Sequence, residues 1–266
     1  MRVRVPGSIA NLGPGFDVLA MAVELWLEVE AEPADQPDWT FEGEGAELLN
    51  IGPNPLSVLR MRGRVRNGIP VGVGLGSSAA ARVAAHALRG HPEPWLAAAR
   101  EEGHADNAVA AALGGLRLVV EGRIEELPVP DLEVALLVAV EPQSTDAARE
   151  ALPAKVPLAE AAANAGRLAR LVHLLHGSRI TGSPEALADL LHQPYRRALY
   201  PWTATAMEAA NRLGAPAAVS GAGPSVFALC VRGTGKEVAE AMAAAAPGRG
   251  LPVLTEVARS GMCLEP

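Results

Sequence analysis

The sequence predicts an α+β fold, and three observations carry that reading. Short stretches that alternate apolar and polar residues, or run continuously apolar as at 132–140, fit strands. Ala-rich stretches with apolar residues three and four apart fit helices. The 266 residues, 49% hydrophobic and 20% charged, suffice for one large soluble domain or two small ones, each built of two layers.

Residues 1–5 alternate and read as a strand. A Gly/Pro turn follows at 11–15. Residues 18–30 pass from a short turn into a second alternating strand through Leu25, Leu27 and Val29. The polar, Pro-containing stretch 31–43 reads as a hairpin or loop. Residues 56–66 mix apolar and Arg side chains at helical spacing. Residues 77–88 are Ala-rich, end at Gly90 and Pro92, and read as a helix. Two further helices follow at 95–102 and 106–113, the second stopped by Gly114-Gly115. Strands are expected at 116–120 and 132–140. The second half reads as helices at 159–175, 184–191, 203–213 and 236–245, with strands at 226–231 and 253–257. The polar stretch 123–130 holds two prolines and is the expected boundary, giving domains 1–128 and 129–266.

Aromatic residues make up only 3%, so the core must come mostly from Ala, Val and Leu. A formal net charge of −7 argues against nucleic acid as a partner, while leaving room for a phosphorylated small molecule at a local positive site. Cys230 and Cys263 lie far apart without metal-ligand spacing, which fits a reducing, cytoplasmic compartment. The alternating N-terminus lacks the apolar run of a signal peptide, and no stretch is long and apolar enough to span a bilayer, so no membrane partner is expected.

The stretch Pro70-Val71-Gly72-Val73-Gly74-Leu75-Gly76-Ser77-Ser78-Ala79-Ala80-Ala81 carries the strongest chemical signal. Glycines let the backbone turn sharply and approach a ligand. The serines stand where a helix begins, so several N–H groups and the positive end of a helix dipole face one spot, as a phosphate requires. The Gly-Lys-Ser/Thr of a P-loop is missing, and the glycine spacing does not suit a dinucleotide fold. Pro70, Gly72, Gly74, Leu75, Gly76, Ser77, Ser78 and Ala79 are therefore the expected nucleotide-phosphate loop.

Two other clusters accompany it: Pro6-Gly7-Ser8-Ile9-Ala10-Asn11-Leu12-Gly13-Pro14-Gly15-Phe16-Asp17, and Val219-Ser220-Gly221-Ala222-Gly223-Pro224-Ser225-Val226. In this order, the three resemble the motifs of the GHMP small-molecule kinases. His104-Ala105-Asp106-Asn107, Ser144-Thr145-Asp146-Ala147-Ala148-Arg149 and His192-Gln193-Pro194-Tyr195-Arg196 resemble the homoserine kinases within that superfamily. The resemblance implies a two-domain fold: an N-terminal domain like the second domain of ribosomal protein S5, with a left-handed crossover, and a ferredoxin-like C-terminal domain. It implies ATP-dependent phosphorylation of the L-homoserine hydroxyl, Mg2+ as metal, and a possible homodimer.

Carried over residue by residue, the resemblance gives Arg149 and Arg196 to the substrate carboxylate, for which a planar guanidinium is suited. Asn11 and Asp17 would take the ammonium, with His104 and Thr145 completing the pocket. Asp106 and Asn107 would lie by the hydroxyl, Asp106 either as base or as a positioning residue. Ser78 and Glu102 would bind Mg2+, with Glu101 a rival to Glu102. Asn54 stands where the family places an adenine contact, although Pro55 departs from the pattern. Gly221 and Gly223 would complete the nucleotide site. A GHMP kinase for another small alcohol and a non-catalytic binding protein of the same fold are the alternatives.

Overall fold

The computed structural model describes residues 1–52 and 54–265. The first sheet takes β1 (Arg2–Ala10), β2 (Leu19–Pro33), β3 (Asp38–Gly43), β4 (Met61–Asn67), β5 (Leu116–Val120) and β6 (Arg123–Leu127). A second sheet takes β7 (Glu133–Ala139), β8 (Ala217–Val219), β9 (Val226–Cys230) and β10 (Gly250–Thr255) in the order β10-β7-β9-β8. The last strand, β11 (Cys263–Glu265), returns to the first sheet and pairs antiparallel with β1. That sheet runs β11-β1-β2-β4-β3, with β5 on the other part of long β2 and β6 beyond it.

Nine α-helices occur among the described residues: α1 (Ala46–Ile51), α2 (Ser77–Leu88), α3 (Pro94–Glu102), α4 (Asp106–Leu113), α5 (Thr145–Glu150), α6 (Leu158–His176), α7 (Gln193–Arg196), α8 (Trp202–Arg212) and α9 (Gly235–Ala245). None is long and apolar enough to cross a membrane.

Strand β7 explains its own continuous apolar run. Val134, Leu136 and Val138 join the main core, while Ala135 and Leu137 face the cluster under α8 and α9. Both faces are covered, so neither can be polar. In the first sheet β4 has only one covered face. Strand β4 alternates buried Met61, Val65 and Asn67 with exposed Arg62, Arg64 and Arg66.

The structure corrects several expectations. Residues 56–66 do not form a helix: their second part is β4, because the arginines follow a period of two and pair with β2. Part of 31–43 is β3, parallel to β4. The stretch 123–130, expected as a loop, contains β6, which forms a hairpin with β5. Residues 184–191 form only a short 3₁₀ turn, Pro184–Leu187. Beyond it, Asp189 accepts hydrogen bonds from the backbone N–H groups of Leu191, His192 and Gln193, which hold a turn before α7 instead of continuing a helix.

Candidate active site

The Gly-rich loop precedes α2 and is clamped by the two other glycine-bearing segments. Gly74 and Gly76 adopt φ of 85° and 73°, in the left-handed region. A Cβ on Gly74 would fall 2.3 Å from the Ser220 carbonyl oxygen, and one on Gly76 2.1 Å from Ser8 Oγ. Ser220 Oγ donates to the Gly74 carbonyl at 2.6 Å. Ser8 N donates to the Leu75 carbonyl at 3.0 Å, and Ser225 N to that of Val73 at 3.2 Å. The three segments, distant in sequence, thus form one backbone-bonded unit. Gly76 is the N-cap of α2 and lacks a side-chain cap bond. The first N–H groups of this helix open toward a cavity of about 600 Å³ that Gly76, Ser77 and Ser78 line.

Of the expected nucleotide residues, Gly72, Gly74, Leu75, Gly76, Ser77, Ser78, Ala79, Gly221 and Asn54 line this cavity, while Pro70 and Gly223 do not. Gly223 instead closes a turn, its N–H donating to the Ser220 carbonyl at 2.8 Å. Asn54 is engaged by its own loop. Its Oδ1 accepts from the N–H groups of Leu56 at 3.0 Å and Ser57 at 2.9 Å, and its Nδ2 donates to the Leu49 carbonyl at 3.1 Å. Around Asn54 the wall is apolar, with Leu27, Phe41, Leu49 and Val65. This end is not legible in the sequence, because its residues come from β2, β3, α1 and β4.

The opposite end is polar. Asn11 and Asp17 lie in the loop between β1 and β2 at φ of 73° and 57°, a region Asn and Asp tolerate better than most residues. Asn11 holds that loop: Oδ1 accepts from Asp17 N at 3.0 Å, and Nδ2 donates to the Gly221 carbonyl at 2.8 Å. Arg149, on α5, donates to both Asp17 carboxylate oxygens, at 3.0 and 3.1 Å. Both side chains remain partly exposed. Thr145 stands on the rim, at the start of α5.

Arg196 is buried and fixed. Its Nε donates to the Ala148 carbonyl at 3.0 Å and its Nη1 to that of Gly221 at 3.1 Å. Nη2 has no hydrogen-bond acceptor among the described residues, and Arg196 lines the cavity. The Phe16 ring lies beneath both guanidiniums, with Arg149 and Arg196 carbons 5.9 and 5.6 Å from its centroid. The loop is tied down from behind by Asn164 Nδ2, which donates to the Pro14 carbonyl at 3.0 Å, and by His192 Nε2, which donates to that of Gly13 at 2.9 Å.

Between the two ends lie the remaining candidates. Ser8 Oγ donates to Asn107 Oδ1 at 2.8 Å, fixing Asn107 beside the glycine loop. Asp106 is buried and accepts from His104 Nδ1 at 3.0 Å and from Asn107 N at 2.8 Å. That bond to Asp106 raises the His104 pKa against the opposing effect of burial.

Glu102 and Glu101 point differently. The Glu102 side chain is 9% exposed and that of Glu101 47%. Glu101 also lines the cavity and is bonded by the buried His86 Nε2 at 2.9 Å. Burial pushes the Glu102 carboxyl above the usual range, with Ser78, His104 and Arg82 pulling the other way. A hydroxyl and a carboxylate side by side are hard oxygen donors, the kind a magnesium-sized cation takes together with phosphates. No cluster of three or more His, Cys, Asp or Glu side chains suited to a metal occurs among the described residues.

The chain is similar to several known proteins. A family model described as the C-terminal region of GHMP kinases matches residues 158–248. The chain is 39% identical to a homoserine kinase of Thermus thermophilus, with 91% of each chain covered. It is 38% identical to a homoserine kinase of Moorella thermoacetica, covering 94% of this chain and 93% of that one. The crystal structure of homoserine kinase from Cytophaga hutchinsonii superposes with a TM-score of 0.86 at 26% identity, covering 99% of this chain and 96% of that one.

Proposed function

This chain belongs to the homoserine kinase family, within the GHMP kinases, and from that premise we propose that it transfers the γ-phosphoryl group of ATP to the side-chain hydroxyl of L-homoserine. The products are O-phospho-L-homoserine and ADP, a step of threonine biosynthesis. The observation that carries the substrate assignment is the two-pronged Arg149–Asp17 pair at the end of a cavity whose middle is the glycine loop.

L-Homoserine is a zwitterion with a hydroxyl two carbons beyond its α-carbon. Asp17 offers the ammonium a carboxylate, and Asn11 Oδ1 keeps a second lone pair for it. Arg149 supplies the carboxylate with a planar fork, and Arg196 adds its Nη2 donors from a fixed position. A half-exposed ion pair is worth little, so substrate groups can replace each partner at small cost. His104 and Thr145 border the same end. The hydroxyl then extends toward Asn107 and the glycine loop.

The N–H groups of the glycine loop and of the first turn of α2 receive the triphosphate, and the apolar wall near Asn54 receives the base. Ser78 and Glu102 would hold Mg2+, which when bound neutralises charge on the phosphates. The hydroxyl oxygen forms a bond to the γ-phosphorus as the bond to the bridging oxygen breaks and ADP leaves. In a loose transition state the hydroxyl proton departs late, so positioning matters more than a strong base. Asp106 Oδ1 is engaged by His104 and by Asn107 N–H, and we read it as a positioning residue. Residues 1–128 hold the phosphate loop in this reading, and 129–266 supply Arg149, Arg196 and the third glycine segment.

Two acceptor analogues test the zwitterion site: 4-hydroxybutyrate, which lacks the ammonium, and 3-aminopropanol, which lacks the carboxylate. Each should lose about 10³-fold or more in kcat/KM, because a site built for a charged group rejects the analogue without it. Turnover of either analogue at the homoserine rate contradicts the assignment.

A further inference from the structure

Arg82 stands one turn after Ser78 on α2 and reaches into the cavity. Its Nη1 donates to the Ser78 hydroxyl oxygen and lies 3.6 Å from a Glu102 carboxylate oxygen. Its Nε lies 3.3 Å from Glu101, yet is buried without a hydrogen-bond partner among the described residues. The guanidinium is therefore held mainly by charge, not by a full fork of hydrogen bonds. Glu101 is anchored in turn by His86 at 2.9 Å. A cation of the chain itself thus rests on the two oxygen-bearing side chains read above as the divalent-cation ligands.

We propose that Arg82 competes with the divalent cation for the Ser78 and Glu102 oxygens, so that cation binding displaces its guanidinium. The proposal rests on the reading of Ser78 and Glu102 as ligands. A buried carboxylate needs a cation beside it, because an unpaired charge in low dielectric is costly. Arg82 meets that need from the next helical turn. A divalent ion held at ~2.1 Å by the same oxygens would lie within a few ångströms of the guanidinium, and like charges at that distance repel strongly. Glu101 gives the displaced group a second carboxylate, closer to solvent than Glu102. Arg82 therefore sets how much free cation the site requires, and it does so without touching the acceptor end, where Arg149 and Arg196 lie.

The test uses the full chain, Mn2+ as probe and a non-hydrolysable ATP analogue, with no acceptor present; free Mn2+ is read by electron paramagnetic resonance. Arg82→Gln should bind Mn2+ about five-fold more tightly than the wild type, the size expected for removing one partly exposed ion pair. Arg82→Lys, which keeps the charge, should stay near the wild type. Unchanged or weaker Mn2+ binding in Arg82→Gln overturns the proposal. Glu102→Gln checks the underlying reading separately: it should lose Mn2+ affinity, and wild-type affinity there would remove the ligand assignment itself. Should Arg82→Gln fail to fold, the wild-type protein decides. With side-chain 15Nε–1H spectra assigned through Arg82→Lys, the Arg82 resonance should shift on adding Mg2+ to the analogue complex. A resonance that stays in place contradicts displacement.

Discussion

His192 donates from Nε2 to the Gly13 carbonyl at 2.9 Å and accepts at Nδ1 from Arg196 at 3.3 Å. Phe16 stacks on its ring with centroids 5.4 Å apart. Only a neutral imidazole can donate at one nitrogen and accept at the other. Burial lowers its pKa, and Arg196 acts the same way, while Asp189, the Gly13 carbonyl and Asp17 oppose. The unfolded chain therefore takes up this proton before the folded one as pH falls. Its contribution to stability is complete above the unfolded pKa of about 6.5 and is lost as pH drops toward the lowered folded value. The fall in Tm between pH 7 and pH 5 should be smaller in His192→Asn than in the wild type. An equal or larger fall in the variant contradicts a buried neutral His192. The sequence makes this residue visible only as part of a motif that also holds Arg196; its other partner, Gly13, lies in the distant loop after β1.

At the scale of elements, the glycine loop and α2 depend on contacts no side chain could share. An alanine at position 76 would place Cβ 2.1 Å from Ser8 Oγ and 2.9 Å from Ser8 N, at a φ of 73°. Ser8 also holds Asn107, so the disturbance reaches α4. Gly76→Ala should cost about 2–5 kcal/mol, from left-handed strain and overpacking together. Gly90 gives the matched control: its φ is 76°, but a Cβ there would meet nothing within 4 Å, so Gly90→Ala should cost only about 1–2 kcal/mol. Urea unfolding of the two variants measures the difference, and equal costs would show that the clamp is not tight. Helices α2 and α4 are legible to the residue, because Gly76 and Gly90 flank the first and Gly114 ends the second. Strand β4 is not. Three of its seven residues are Arg, a good helix former, and their spacing in two only acquires meaning beside Glu28, Glu30, Glu32 and Glu42 on the flanking strands.

Across the whole molecule, sequence and structure agree on what glycine and apolar patterning encode and differ where distant segments meet. The three glycine clusters can be recognised one by one. Their mutual clamping through Ser8, Gly74 and Ser220 cannot be read from spacing, nor can the return of β11 to β1. The different surroundings of Glu101 and Glu102 likewise appear only once α3 packs beside α2, where His86 bonds the first. Arg82 carries no signal of its own in the sequence, because an Arg on an Ala-rich helix reads as a solvated side chain until its partners are in place. The fold then supplies what the proposed chemistry needs: a glycine loop in the middle, an apolar wall at one end, and an Asp–Arg pair at the other. The most direct measurement is coupled ADP release with Mg-ATP over L-homoserine, mevalonate, galactose and L-threonine. Turnover on L-homoserine well above the other three is the expected result. Turnover on another alcohol with none on L-homoserine would contradict the substrate site built from Asp17, Arg149 and Arg196.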